Sequence, residues 1–427
     1  MKNPDQRQFE LVTVKATFSA IAVGCTAYLV LSRTFYAEAL IDAFFAFALA
    51  SVVILHLRVC PKLLDAALVA SGTAIMGLVC FGWLHYPRAV MPWFSFAGLS
   101  SFLILVIRLI WARQRKLLGY AWVPAVLFVA SEYFASTALA WTRVAHPKTF
   151  DIYLLMFDAS LHFQPAFLAG RIYASYPSLH NASLLAYIAL AMPITVVYGG
   201  RLVRDAERAF PAMLAFLITG PLGILFYNLF PVSGPHNLFG MQFPFSPVPY
   251  AAMAHVILEP VQIAGERNGL PSLHLAWTLL AWWYSRGLSR AERSIAFAFL
   301  ALTAFATLGT GEHWLGDLVV AFPFALMVRA VCSYELPVRD TRRRTAFLFG
   351  LLATLTWLVL LRYCTRLFWT SPLVPWSLIA GTIALTCIRQ RILISATTDS
   401  ENARSRTDDE GSETHSSPAF FESATSA

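Results

Sequence analysis

Apolar residues run along this chain in blocks of about twenty, separated by short polar or basic segments. A helix that crosses a bilayer needs about 20 mostly apolar residues. Blocks near 11–32, 38–58, 63–83, 90–111, 119–142, 177–198, 209–230, 271–288, 292–310, 314–333, 344–363 and 372–389 approach that length. The pattern predicts an all-α fold, a polytopic membrane helix bundle of about twelve transmembrane helices. The segment 149–171 differs. Phe150, Tyr153, Leu154, Phe157 and Leu161 recur there at helical spacing, with Asp151, Asp158 and His162 among them. This predicts an amphipathic helix on the membrane surface, ended or kinked at Pro165. From about 395 the chain is rich in Ser, Thr, Glu and Asp, which predicts a disordered tail.

Composition narrows the class. Of 427 residues, 58% are hydrophobic and 13% charged, about half the charge of an ordinary soluble protein. That excludes soluble domains, disorder and a coiled coil for most of the chain. The net charge of +8 would suit nucleic acid, but the basic residues sit in short clusters between apolar blocks, as cytoplasmic loops do. Connections after even-numbered spans carry roughly twice the Lys and Arg of those after odd-numbered ones. Both termini are therefore expected in the cytoplasm, in a multi-pass protein of the plasma (inner) membrane. The polar N-terminus through Glu10 leads into an apolar stretch without a small-residue cleavage site, so no cleavable signal peptide is expected. Cys25, Cys60, Cys80, Cys332, Cys364 and Cys387 form no C-x-x-C pair, which argues against a zinc site or a disulfide framework.

Two constellations carry chemistry. The connection over 231–270 opens with Phe230-Pro231-Val232-Ser233-Gly234-Pro235-His236 and closes on Arg267-Asn268-Gly269-Leu270-Pro271-Ser272-Leu273-His274. Its last four residues run into an apolar block. Pro is favoured in a first helical turn, whose free N–H groups form an anion site. Arg267 is the only Lys or Arg in the connection. The second constellation is Thr310-Gly311-Glu312-His313-Trp314-Leu315-Gly316-Asp317. His313 and Asp317, four apart, share a helix face. A carboxylate there fixes the imidazole tautomer and leaves the other ring nitrogen as a nucleophile. The alternating topology brings both constellations to the non-cytoplasmic face.

Pro271-Ser272-Leu273-His274, followed by Gly311-Glu312-His313-Trp314-x-x-Asp317, resembles the type-2 phosphatidic acid phosphatase superfamily. The Pro-rich turn and the Thr-Gly before the second His resemble its inositol phosphorylceramide synthase branch. The motifs cover about 230–330. The resemblance implies a six-helix phosphatase-like core, placed at 146–335, and no cofactor or metal. It implies that His313 attacks phosphorus, Asp317 orients it, and His274 protonates the leaving alcohol and then activates water or an acceptor alcohol. Ser272 would bind phosphoryl oxygens and Arg267 would supply charge. Asn268 and His236 are the other expected substrate-binding residues. The partners implied are a membrane lipid and an acceptor alcohol. One departure stands out: Thr307 occupies the position of an Arg in the broader superfamily, and the upstream Lys-x6-Arg-Pro block is missing. Spans within 1–145 have no assigned role, two more lie in 336–393, and the polar tail is 394–427. A transporter or scaffold that retains the motif is the alternative of another class.

Overall fold

The computed structural model describes residues 15–25, 42–83, 89–111 and 115–413, and it is a helical bundle. The only sheet among these residues is a two-residue antiparallel pair, Lys148–Thr149 with Val261–Gln262. Lys148 is opposite Gln262 and Thr149 opposite Val261. The pair ties the end of one span to the far end of the long connection.

The bundle is organised around Leu315–Cys332. Apart from Asp317 and Arg329 near its ends this helix is apolar on all sides, and nearly all of it is buried. A helix without a polar face has to be enclosed by others. Its neighbours are Leu273–Tyr284, Ala206–Leu229, Asp151–Ser160, Thr341–Tyr363 and Leu373–Glu413. The N-terminal helices adjoin this group. Ala43–Val59 packs on Met91–Trp111, Arg115–Ala145 and Ala191–Arg204, and its Arg58 pairs with Glu292 at 2.9 Å.

Eight described helices are long and apolar enough to cross a membrane, or nine if a bent pair counts as one span. Twelve were expected. The pair is Pro177–Ile188 with Ala191–Arg204, which bend by 58°. Three expected spans fall short for separate reasons. The block 271–288 forms only Leu273–Tyr284, about 18 Å long against an apolar bilayer core of about 30 Å. The block 38–58 forms Ala43–Val59, and part of it lies outside the described residues. Of 11–32, only 15–25 is described, as a short helix.

Three local expectations change. The surface helix at 149–171 is two helices, Asp151–Ser160 and Pro165–Ser175. The first is buried along almost its whole length, including both aspartates. Its polar residues had suggested a solvated face, but they have internal partners. Pro165 begins a helix, where its missing N–H costs nothing. The last helix continues through Glu413, so the expected disordered tail is helical over 395–413. Extending a formed helix requires no new nucleus. Residues 414–427 lie outside the described set.

Candidate active site

The structure joins the two motifs through the backbone. Ser272 N–H donates to the Asp317 carbonyl at 3.1 Å. Helix Leu273–Tyr284 begins one residue later, with Ser272 as its cap, the hydroxyl accepting from Leu275 N–H. Pro271, expected in the first turn, therefore lies just outside the helix. The turn Pro231 to Pro235 is fixed on both sides. Gly269 N–H donates to the Val232 carbonyl at 2.9 Å, and His236 N–H donates to the Gly311 carbonyl at 2.9 Å. Three segments distant in sequence thus form one hydrogen-bonded unit.

His313 and Asp317 are buried at its centre. His313 Nδ1 lies 3.4 Å from Asp317 Oδ2, long for a hydrogen bond but close enough to bias the tautomer. The same oxygen accepts from Trp314 N–H at 2.8 Å, which fixes the carboxylate plane. With Nδ1 turned to the carboxylate, Nε2 is the nitrogen free for chemistry. His274 is half-buried, and the two imidazoles are close enough to interact electrostatically.

Arg267 has other partners than the phosphate expected for it. It is 1% exposed, and all five guanidinium N–H groups are taken. Nε donates to the His146 carbonyl. Nη1 donates to Ser233 Oγ and the Gly265 carbonyl, and Nη2 to the Pro147 and Ile263 carbonyls. Burial lowers its pKa below the ordinary guanidinium value. In this structure Arg267 holds the loop together, and only its charge, not a directed donor, reaches beyond. Asn268 is half-buried beside it, its Oδ1 without a partner among the described residues. The side chain of His236 is exposed, while its backbone is part of the joined unit. His180, at the end of a second Pro-Ser-Leu-His sequence at 177–180, packs at a tilt against Tyr173, 4.1 Å between centroids.

Asp151 and Asp158 are the residues that sequence reasoning undervalued. Asp151 Oδ1 accepts from Gly234 N–H at 2.8 Å and from Trp314 Nε1–H at 2.9 Å, and Oδ2 accepts from Ser233 N–H at 3.1 Å. One carboxylate therefore ties the Pro-rich turn to the second motif. Burial raises its pKa above the ordinary value, and these donors oppose that rise. Asp158 accepts from Leu315 N–H at the start of the central helix. Burial, with the Asp317 carboxylate nearby, holds Asp158 well above the ordinary range. The available signal was spacing: residues seven apart lie on one helix face, here among apolar neighbours.

Gly234 has φ +89, and a Cβ there would lie 2.3 Å from the Glu312 carbonyl oxygen. Those contacts are backbone and cannot swing aside. Gly234→Ala is expected to cost about 2 kcal/mol or more, from the positive φ and the forced shift together. Thermal unfolding of the detergent-solubilised variant would measure it.

One other group among the described residues brings metal-binding side chains together. Donor atoms of His56, Cys60 and Asp65 lie within 4.8 Å of one another. The Arg108 guanidinium already pairs with Asp65, so the group acts as a buried ion pair linking three helices. It lies outside the unit described above.

This architecture is a helical bundle with several helices long and apolar enough to cross a membrane. Residues 152–331 match the family model of the PAP2 superfamily, so that segment is similar to members of the superfamily. Members of this superfamily are phosphatases or phosphotransferases. No curated protein and no solved structure matches the chain.

Proposed function

We propose that the protein is an integral membrane lipid phosphatase or phosphotransferase that acts through a phosphohistidine. The observation that carries this reading is the buried His313–Asp317 pair, tied by the Asp317 carbonyl to the start of the His274 helix. His313 Nε2 attacks the phosphorus of a lipid phosphate ester. The P–O bond to the lipid alcohol breaks, and His274 gives its proton to the departing oxygen. His274 then removes a proton from water or an acceptor alcohol, whose oxygen attacks phosphorus and breaks the P–N bond. Asp317 stabilises the imidazolium formed on His313. First-turn N–H groups of Leu273–Tyr284, with Ser272 and Asn268 near the helix start, serve as the phosphoryl-binding side. His236 lines its edge. Arg267 contributes charge at a distance. The scheme needs no metal.

Transfer to a lipid alcohol, as in the inositol phosphorylceramide synthase-like branch, is the finer reading. Two observations favour it. Thr307 stands where the broader superfamily has Arg, and the donors of Arg267 are consumed internally. A site with few directed cations suits a singly charged phosphodiester better than a dianionic monoester. The basic connections favour a site on the non-cytoplasmic side of the plasma membrane.

The test uses purified protein with a lipid radiolabelled in its phosphate. Acid-labile, base-stable label on the protein, absent from His313→Ala, is the expected result. Inositol- or glycerol-linked phospholipid with a ceramide or diacylglycerol acceptor then separates transfer from hydrolysis by its product. Turnover without any trapped label in quenched single-turnover samples would overturn the covalent scheme.

A further inference from the structure

The His274 ring is enclosed by aromatic side chains from two further elements and its own helix. Tyr187, on Pro177–Ile188, stacks flat against it, with centroids 4.0 Å apart and planes 14° apart. Phe44, on Ala43–Val59, meets it edge-on at 6.2 Å and 60°. Trp277, one turn along, stands at 6.3 Å and 89°. Phe44 also packs edge-on against Tyr187, at 5.9 Å, so the two walls support one another. Phe44 lies well outside residues 152–331, the segment that matches the PAP2 superfamily.

We propose that Phe44 and Tyr187 are positioning residues for His274: with Trp277 they form an aromatic box that fixes the imidazole plane, so the N-terminal helix Ala43–Val59 completes the catalytic centre. The inference rests on the phosphohistidine reading above. Two physical effects support it. A ring stacked on one face and flanked by two edge-on rings is restricted in rotation, and proton transfer in the transition state requires a fixed ring nitrogen. The enclosure also keeps water from the ring, which lowers its pKa, and the neighbouring His313 lowers it further, so the protonated ring is a stronger donor to the leaving oxygen. The N-terminal spans are then part of the enzyme's working core rather than a separate module.

The charged surroundings of the box are limited. His313 faces His274 from the second motif. Tyr187 is influenced by Glu312, Glu132 and Tyr173. Asp42 caps the helix of Phe44 through Phe45 N–H. None of these is altered by the substitutions of Phe44 and Tyr187 below.

Four variants test the box in purified protein with the lipid substrate of the labelling experiment. Phe44→Ala and Tyr187→Leu should each lower kcat about tenfold, a part of the 10²–10⁴ that general acid–base catalysis supplies, with KM little changed. The basic limb of the kcat/KM profile should move to higher pH in both, because opening the box lets water stabilise the imidazolium. Tyr187→Phe keeps the stacked ring and should restore kcat and the profile. If Phe44→Ala does not assemble, Phe44→Leu keeps the apolar volume without a ring and should show the same kcat loss. Wild-type kcat and pH profile in Phe44→Leu and Tyr187→Leu would overturn the proposal. An equal loss in Tyr187→Phe would overturn the box by pointing to the hydroxyl instead. His313→Ala separates this from the underlying reading: if it stays active, the phosphohistidine scheme itself has failed.

Discussion

His313→Ala is expected to lower kcat about a thousandfold or more and to remove the labelled phosphoenzyme, while leaving the fold intact. Removing a covalent nucleophile eliminates the reaction path rather than weakening it, and losses of 10³–10⁶ are typical of such groups. The fold should survive because the imidazole contributes little to it. Its Nδ1 is 3.4 Å from Asp317 Oδ2, and the stronger bond to that oxygen comes from Trp314 N–H, which the substitution keeps. The backbone bond from His313 N–H to the Thr307 carbonyl also persists. Turnover assays on lipid phosphate, with thermal unfolding as the control, measure both halves. A residual rate within tenfold of wild type would exclude His313 as nucleophile.

Asp151→Ala is expected to have the opposite profile, a large stability loss with activity lost as a consequence. Its carboxylate accepts from Gly234 N–H, Ser233 N–H and Trp314 Nε1–H. Alanine leaves all three donors buried without a partner, at about 1–3 kcal/mol each. The losses share a site and will not add fully, so the expected total is about 3–5 kcal/mol. Asp151→Asn should fall between. Its amide oxygen can still accept from Gly234 and Trp314, but its NH2 would face Ser233 N–H, donor against donor. Thermal unfolding in detergent gives the ranking Ala below Asn below wild type. Equal midpoints for all three would show that the carboxylate is not what fastens the turn to the second motif.

Much of the proposed site has a local signal in the sequence. His313 and Asp317 are four apart at the start of an apolar block, and an ionisable residue in such a block is expensive enough to suggest a function. Ser272 and His274 carried a similar local signal, a helix start with a hydroxyl and an imidazole. The supporting groups were harder to identify. Asp151 lies 82 residues from Ser233 and 163 from Trp314, and an isolated aspartate in a helical pattern looks the same whether its partner is water or a distant N–H group. The internal partners of Arg267 were hidden for the same reason. A lone cation beside a phosphate-like motif suggests a ligand, and only the folded loop shows five acceptors already around it. Tyr187 and Phe44 carried no signal, because aromatic residues are ordinary in a membrane span.

The sequence by itself determined that this is a bundle of apolar helices suited to a membrane, and it singled out the segments proposed to carry the chemistry. Hydrophobic blocks and i, i+4 pairs are local, and a few neighbouring residues are enough to display them. Only the tertiary structure decided that the block at 271–288 forms a helix too short to span, that the 149–171 segment is buried, and that Arg267 has no free donor. It also decided that a helix beginning at Ala43 packs against His274. Each of those outcomes depends on which buried polar group finds a partner and which ring finds a wall. The partners come from elements far apart along the chain, whose meeting is set by packing.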